Sequence, residues 1–150
     1  MIEKIYTSLM QYSNLHELNN GLTKEKIIEF ETENRISLPE DLKELYRHFD
    51  GGELFIPGTT VYGLYDPKVE YTVRNANRGE IRQKMSLPVT YLIIAKLNYG
   101  DLICIDLNSP HKVVQWSHET DEMFCEWESL GQWLSEMIFD FKEFEAGDQA

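Results

Sequence analysis

The run His118-Glu119-Thr120-Asp121-Glu122 sets a histidine beside three carboxylates, the residue types of a general base and its orienting acids. The same run also reads as a polar strand end entering an acidic loop. This second reading outweighs the first, because no nucleophile partner is evident. His48-Phe49-Asp50 poses the same choice and reads as a polar helix end, where a positive histidine suits the helix dipole. Arg74, Arg78 and Arg82 stand at i, i+4, i+8. If residues 67–82 stay helical they form one basic stripe, able to bind an anion or the chain's own acids. A solvated helix face is the better account, because spacing alone does not place a ligand. Trp127, between Glu126 and Glu128, is the tryptophan placed to anchor a partner, although core packing serves any single Trp.

Other chemistries find no footing in the sequence. There is no Gly-rich phosphate loop, no GxGxxG and no GxSxG elbow. The two cysteines stand far apart and the four histidines are scattered, so no zinc spacing appears. Cys104, inside Leu102-Ile103-Cys104-Ile105, reads as a small core residue. No catalytic residue, metal or cofactor is expected.

The elements that must position these residues form one expected domain over residues 1–150. Hydrophobic residues at 42% suffice for a core. No apolar run is long enough to span a bilayer and no secretory leader is apparent, so a soluble, cytoplasmic chain is expected. The net charge is −12 and unevenly spread. Residues 117–150 hold ten acids against one lysine, whereas residues 51–116 hold six acids against seven lysines and arginines. Such a surface disfavours nucleic acid and anionic membrane and favours a basic partner, besides keeping a protein soluble.

Hydrophobic spacing predicts helices over residues 2–12, from Thr23 to about Asn34, and from Pro39 to Asp50. In the last of these Pro39 suits the first helical position, and Leu42, Leu45, Tyr46 and Phe49 share one buried face. Gly51-Gly52 would close it in the left-handed conformation. Asn19-Asn20-Gly21 reads as a turn. Residues 53–56 and 60–64 read as short strands, and Asp66-Pro67 as the start of a helix to about Arg78. Tyr91–Leu97, Asp101–Leu107 and Lys112–Ser117 read as an antiparallel meander. A long closing helix carries Leu130, Trp133, Leu134, Met137, Ile138, Phe141 and Phe144 on one stripe, with Ser129 as its cap. The expected class is α+β: a mostly antiparallel sheet near residues 91–117, packed with N-terminal helices and a long C-terminal helix.

The stretch from Leu38-Pro39 to Gly51-Gly52 resembles the hallmark of the SUKH superfamily. Members commonly carry Leu-Pro or Pro-Pro ahead of the helix and Asn-Gly-Gly after it; here Asp50 stands in the Asn position. Gly100-Asp101 and the strand after it resemble the family's Gly-Asp strand. The strand Val113-Val114-Gln115-Trp116 resembles the one that follows. The likeness covers about residues 23–141. It marks Leu38, Pro39, Gly51, Gly52, Gly100 and Asp101 as scaffold positions and supplies no catalytic residue.

The resemblance implies a non-enzymatic binding domain. Most bacterial members are immunity proteins that neutralise a polymorphic toxin, often a nuclease, by stoichiometric binding. The fungal branch implies the alternative, a regulatory scaffold related to cell-wall assembly. An enzyme working through His118 is the remaining, weaker reading. The expected contact surface is Glu119, Asp121, Glu122, Glu126, Trp127 and Glu128, facing a basic toxin domain.

Overall fold

The computed structural model describes residues 1–148. Its helices are α1 (Ile2–Met10), α2 (Lys24–Asn34), α3 (Glu40–His48), α4 (Val73–Arg78), α5 (Glu80–Gln83) and α6 (Leu130–Asp148). Its strands are β1 (Glu17–Asn20), β2 (Phe49–Leu54), β3 (Thr59–Val61), β4 (Tyr91–Leu97), β5 (Leu102–Asp106), β6 (Val113–Ser117) and β7 (Glu122–Trp127). The described strands make one antiparallel sheet in sequence order, with β1 and β7 at its two edges. The chain is α+β, as its patterning implies.

The centre of the sheet is buried on both faces. Leu92–Ala95, Leu102–Ile105 and Val113–Trp116 are buried without interruption, where a sheet wet on one side would alternate. Helices α1, α3 and α6 pack on one another and supply Ile2, Leu9, Leu42, Leu45, Leu130 and Leu134 to the core. The Tyr46 hydroxyl, fully buried, donates to the Tyr62 carbonyl at 2.8 Å and ties α3 to the end of β3. The expected caps hold at two helices. Thr23 Oγ1 accepts the Lys26 N–H at 3.2 Å, and Ser129 Oγ accepts the Gln132 N–H at 3.1 Å.

Several sequence expectations need correction. Pro39 is the residue before α3, not its first residue; its extended ψ of 148° turns the chain into the helix. Leu38 before it is buried, and its N–H donates to Glu31 Oε2 at 2.8 Å. Gly51 and Gly52 do not cap α3. The helix stops at His48, Phe49 is already extended, and both glycines lie inside β2 with φ of 75° and 131°. The positive φ was legible; its use in a strand was not. Asn19-Asn20 is strand, held there by pairing with β2. The meander does not end at Ser117, because a further hairpin adds β7. The α6 stripe holds through Ile138 and Phe141, where Phe141 stacks on Phe55 at 4.5 Å, but Phe144 is exposed.

The helix expected from Asp66 to Arg78 is instead a short 3₁₀ turn and then α4, capped by Thr72, with a break at Gly79. The arginine stripe is therefore absent. The physical cause is the shortness of β3, which pairs only with Ala95–Leu97 and leaves the first half of β4 paired with β5 on one side and without a strand on the other. Side chains fill that role. Asn77 exchanges two hydrogen bonds with the Ile93 backbone at 2.8 and 2.9 Å. Arg82 donates to the Tyr91 carbonyl at 2.5 Å, the Pro88 carbonyl at 2.8 Å and Asn77 Oδ1 at 2.9 Å. Arg82 clamps the start of β4 while Arg74 and Arg78 are exposed.

Candidate protein-binding surface

The β6–β7 hairpin places the acids picked out from the sequence. Its turn closes with the Asp121 N–H donating to the Ser117 carbonyl at 3.0 Å. Asp121 sits in the left-handed region, φ 53°, which short polar side chains tolerate. Its carboxylate is taken up by the chain itself: Oδ1 accepts the Ser86 N–H at 2.8 Å and the Trp116 indole N–H at 3.0 Å. These bonds, Ser86 first, hold the carboxyl below its ordinary value. Asp121 thus builds the hairpin, and the outward face is left to its neighbours.

Those neighbours are brought together along β7 and its flanks. Glu119, Glu122, Glu126 and Glu128 are exposed. Glu126 meets Lys112 Nζ at 3.3 Å; among the described residues Glu119, Glu122 and Glu128 form no ion pair. Trp127 is half-buried. Its indole N–H donates to Glu136 Oε2 at 2.7 Å, which pins the end of β7 to α6. The pairing register slips between Gln115 and Trp116, so that Gln115 opposes Cys125 and Trp116 opposes Met123. Phe124 is the extra residue of a β-bulge. Two large apolar side chains stand out in this acidic strip, Met123 at 48% and Phe124 at 69% exposure.

The catalytic reading of His118 meets a different geometry. Its Nδ1–H donates to Asp101 Oδ1 at 2.6 Å, and its ring lies over Gly100, where a Cβ would sit 3.2 Å from it. Gly100, φ 106°, gives the room. Asp101 also accepts the His118 backbone N–H at 3.1 Å and the Gln115 amide at 2.8 Å. Burial alone would raise this carboxyl; the hydrogen bonds from Gln115 and His118 outweigh it and hold it below its ordinary value. The Gly100-Asp101 pair ties the β4–β5 turn to the β6–β7 hairpin. Among the described residues Asp101 is the hydrogen-bond partner of the ring, and no hydroxyl or thiol is bonded to it. Both cysteines are free; burial pushes the Cys104 thiol up to about 12, which suits a core residue.

A stability consequence follows from the sign of that shift. The folded Asp101 carboxyl is more acidic than the unfolded one, so its stabilisation is complete above the ordinary value of 3.8 and lost as pH falls through the folded value. Asp101→Ala should cost about 2 kcal/mol at pH 7, the worth of hydrogen bonds to one charged group. The gap to wild type should shrink below pH 3.8. Urea unfolding at both pH values measures this, and a gap that does not change with pH would refute it.

A second feature went unseen in the sequence. A cleft of about 620 Å³ opens at the β1 edge, lined among others by His16, Glu17, Asn19, Gly52, Glu53 and Asp66. Asn19 Nδ2 bridges the Asp50 carbonyl and Asp66 Oδ2, both at 2.8 Å. His16 is buried, which lowers its pKa; it donates to the Leu9 carbonyl and accepts the Phe55 N–H, both at 3.0 Å. No spacing announces the cleft, because four separate segments converge on it. Among the described residues no group of histidines, cysteines or carboxylates is arranged to hold a metal, and no helix is long and apolar enough to cross a membrane.

The family model described as the SMI1 / KNR4 family (SUKH-1) matches residues 21–136. That span runs from the end of β1 into α6 and takes in the β7 strip. No curated protein matches the chain in sequence.

Proposed function

The chain belongs to the SMI1/KNR4 family (SUKH-1), and from that membership we propose that it is a cytoplasmic immunity protein. It binds the toxic domain of a cognate polymorphic toxin, a nuclease, one to one, and stops it without a catalytic step. The observation that carries this reading is the acidic strip of β7 with its exposed Met123 and Phe124. A nuclease grips phosphate with lysines and arginines, and its basic surface is steered to such a strip at a rate that falls with salt. Exposed apolar side chains among charges are the usual centre of an interface. His118 serves in the hairpin in this reading, not in a reaction.

The test is co-expression with the C-terminal domain of the protein encoded just upstream. Colonies should die without this chain and survive with it. Death in both cases, or in neither, refutes the pair. The family's other reading, a regulatory scaffold, would gain if pull-downs returned several constitutive host proteins and no toxin. For a pair that passes, Glu119, Glu122, Glu126 and Glu128 are changed together to Lys. Association should slow about tenfold at low ionic strength and lose most of its salt dependence. Unchanged kinetics would move the interface off β7, with the cleft as the next place to look.

A further inference from the structure

We propose that the partner docks by adding one extended, basic segment as an eighth strand along the free edge of β7. This rests on the protein-binding reading above and goes beyond it to the mode of recognition. β7 is the last strand of the described sheet, so the backbone groups on its outer side have no strand to pair with. Sheet edges are usually defended by charge, bulges or a covering element, since a bare one pairs with any passing strand.

β7 carries a bulge and glutamates, and these alone would be plain protection. Two observations point further. Protection gives no reason for Met123 and Phe124 to stand 48% and 69% exposed on the same strand. And the charge is of one sign: Glu119, Glu122, Glu126 and Glu128 lie along the strand and its flanks with Lys112 as the cation paired there. Two copies of β7 side by side would set glutamate against glutamate, so the charges oppose self-pairing. The same charges favour a strand that alternates lysine or arginine with apolar residues. Its cations would answer the glutamates, its apolar side chains would cover Met123 and Phe124, and its backbone would complete the ladder.

The probe is a capped heptapeptide, Lys-Val-Lys-Phe-Lys-Val-Lys, set against the same peptide N-methylated at alternate backbone nitrogens. The two carry the same charge and side chains, but the second cannot complete a ladder. The unmethylated peptide should bind saturably and slow hydrogen exchange of β7 amides at least tenfold. The methylated peptide should bind at least tenfold more weakly and protect nothing. Phe124→Asp, at an exposed position, should weaken the first peptide at least fivefold without changing the circular dichroism spectrum. Equal binding of both peptides would reduce the effect to charge attraction and overturn strand addition, as would protection at β1 in place of β7. No saturable binding of either peptide would overturn it too. Toxin neutralisation that survives any of these failures leaves the immunity reading standing. Loss of neutralisation in wild type alongside a protected β7 would do the reverse.

Discussion

Gly52→Ala should cost the fold about 3 kcal/mol or more, read as a drop in the urea midpoint with the slope unchanged. Gly52 sits in β2 at φ 131°, a conformation that side chains rarely adopt. A Cβ there would land on the Glu17 carbonyl oxygen and come within 2.8 Å of the Leu18 Cα. Both atoms are backbone of the paired strand β1, and backbone cannot swing aside as a side-chain tip can. Gly51, at φ 75°, faces the same obstacle from the other neighbour: its Cβ would lie 2.5 Å from the Val61 carbonyl and 2.6 Å from the Gly63 nitrogen. The two glycines let β2 run closely between β1 and β3. Gly147→Ala in α6, where nothing lies within 4 Å, is the control and should be neutral or slightly stabilising. A Gly52→Ala loss no larger than that of Gly147→Ala would mean the strands are not so close.

The double glycine also marks where sequence reasoning stops. A helix that ends in two glycines satisfies every local rule for a C-cap. What the local rules omit is that Phe49 extends at once and that β1, far back in the sequence, must pair there. β1 shows the same limit. Glu17-Leu18-Asn19-Asn20 has little intrinsic strand preference and becomes a strand because Gly52 leaves room beside it. The elements that could be read were those whose patterns are set by burial. β4, β5 and β6 are runs of apolar residues, and α6 repeats its stripe through Ile138. β7 could not be read, because its bulge breaks alternation at Phe124 and its exposed face is neither polar nor apolar throughout. The acids of the candidate surface were legible as a charge excess, but Asp121 is engaged by Ser86 and Trp116, and only the hairpin geometry sorts it from Glu119 and Glu122. The cleft depended on convergence of segments and left no local trace.

Asp50 should prove the most consequential polar side chain in the core. It is buried, and Oδ1 accepts the Leu64 N–H at 2.6 Å while Oδ2 accepts the Tyr65 N–H at 2.9 Å. It thereby turns the chain after β3, where no strand offers those donors a carbonyl. Asp50→Ala strands both donors and should cost about 3 kcal/mol. The pH dependence has a definite sign. Burial pushes the carboxyl up, the charge of Asp66 adds to it, and the two N–H bonds oppose it in part. The folded group therefore holds its proton more tightly than the unfolded one. Its contribution is full below the ordinary value of 3.8 and declines as pH rises through the raised folded value. Asn cannot titrate, so Asp50→Asn should gain on wild type as pH climbs from 3.8 to neutral. Urea unfolding of both proteins across that range decides the matter. If wild type gains on the variant instead, the Leu64 and Tyr65 bonds outweigh burial, and Asp50 is held as a carboxylate in the fold because the turn after β3 needs its charge.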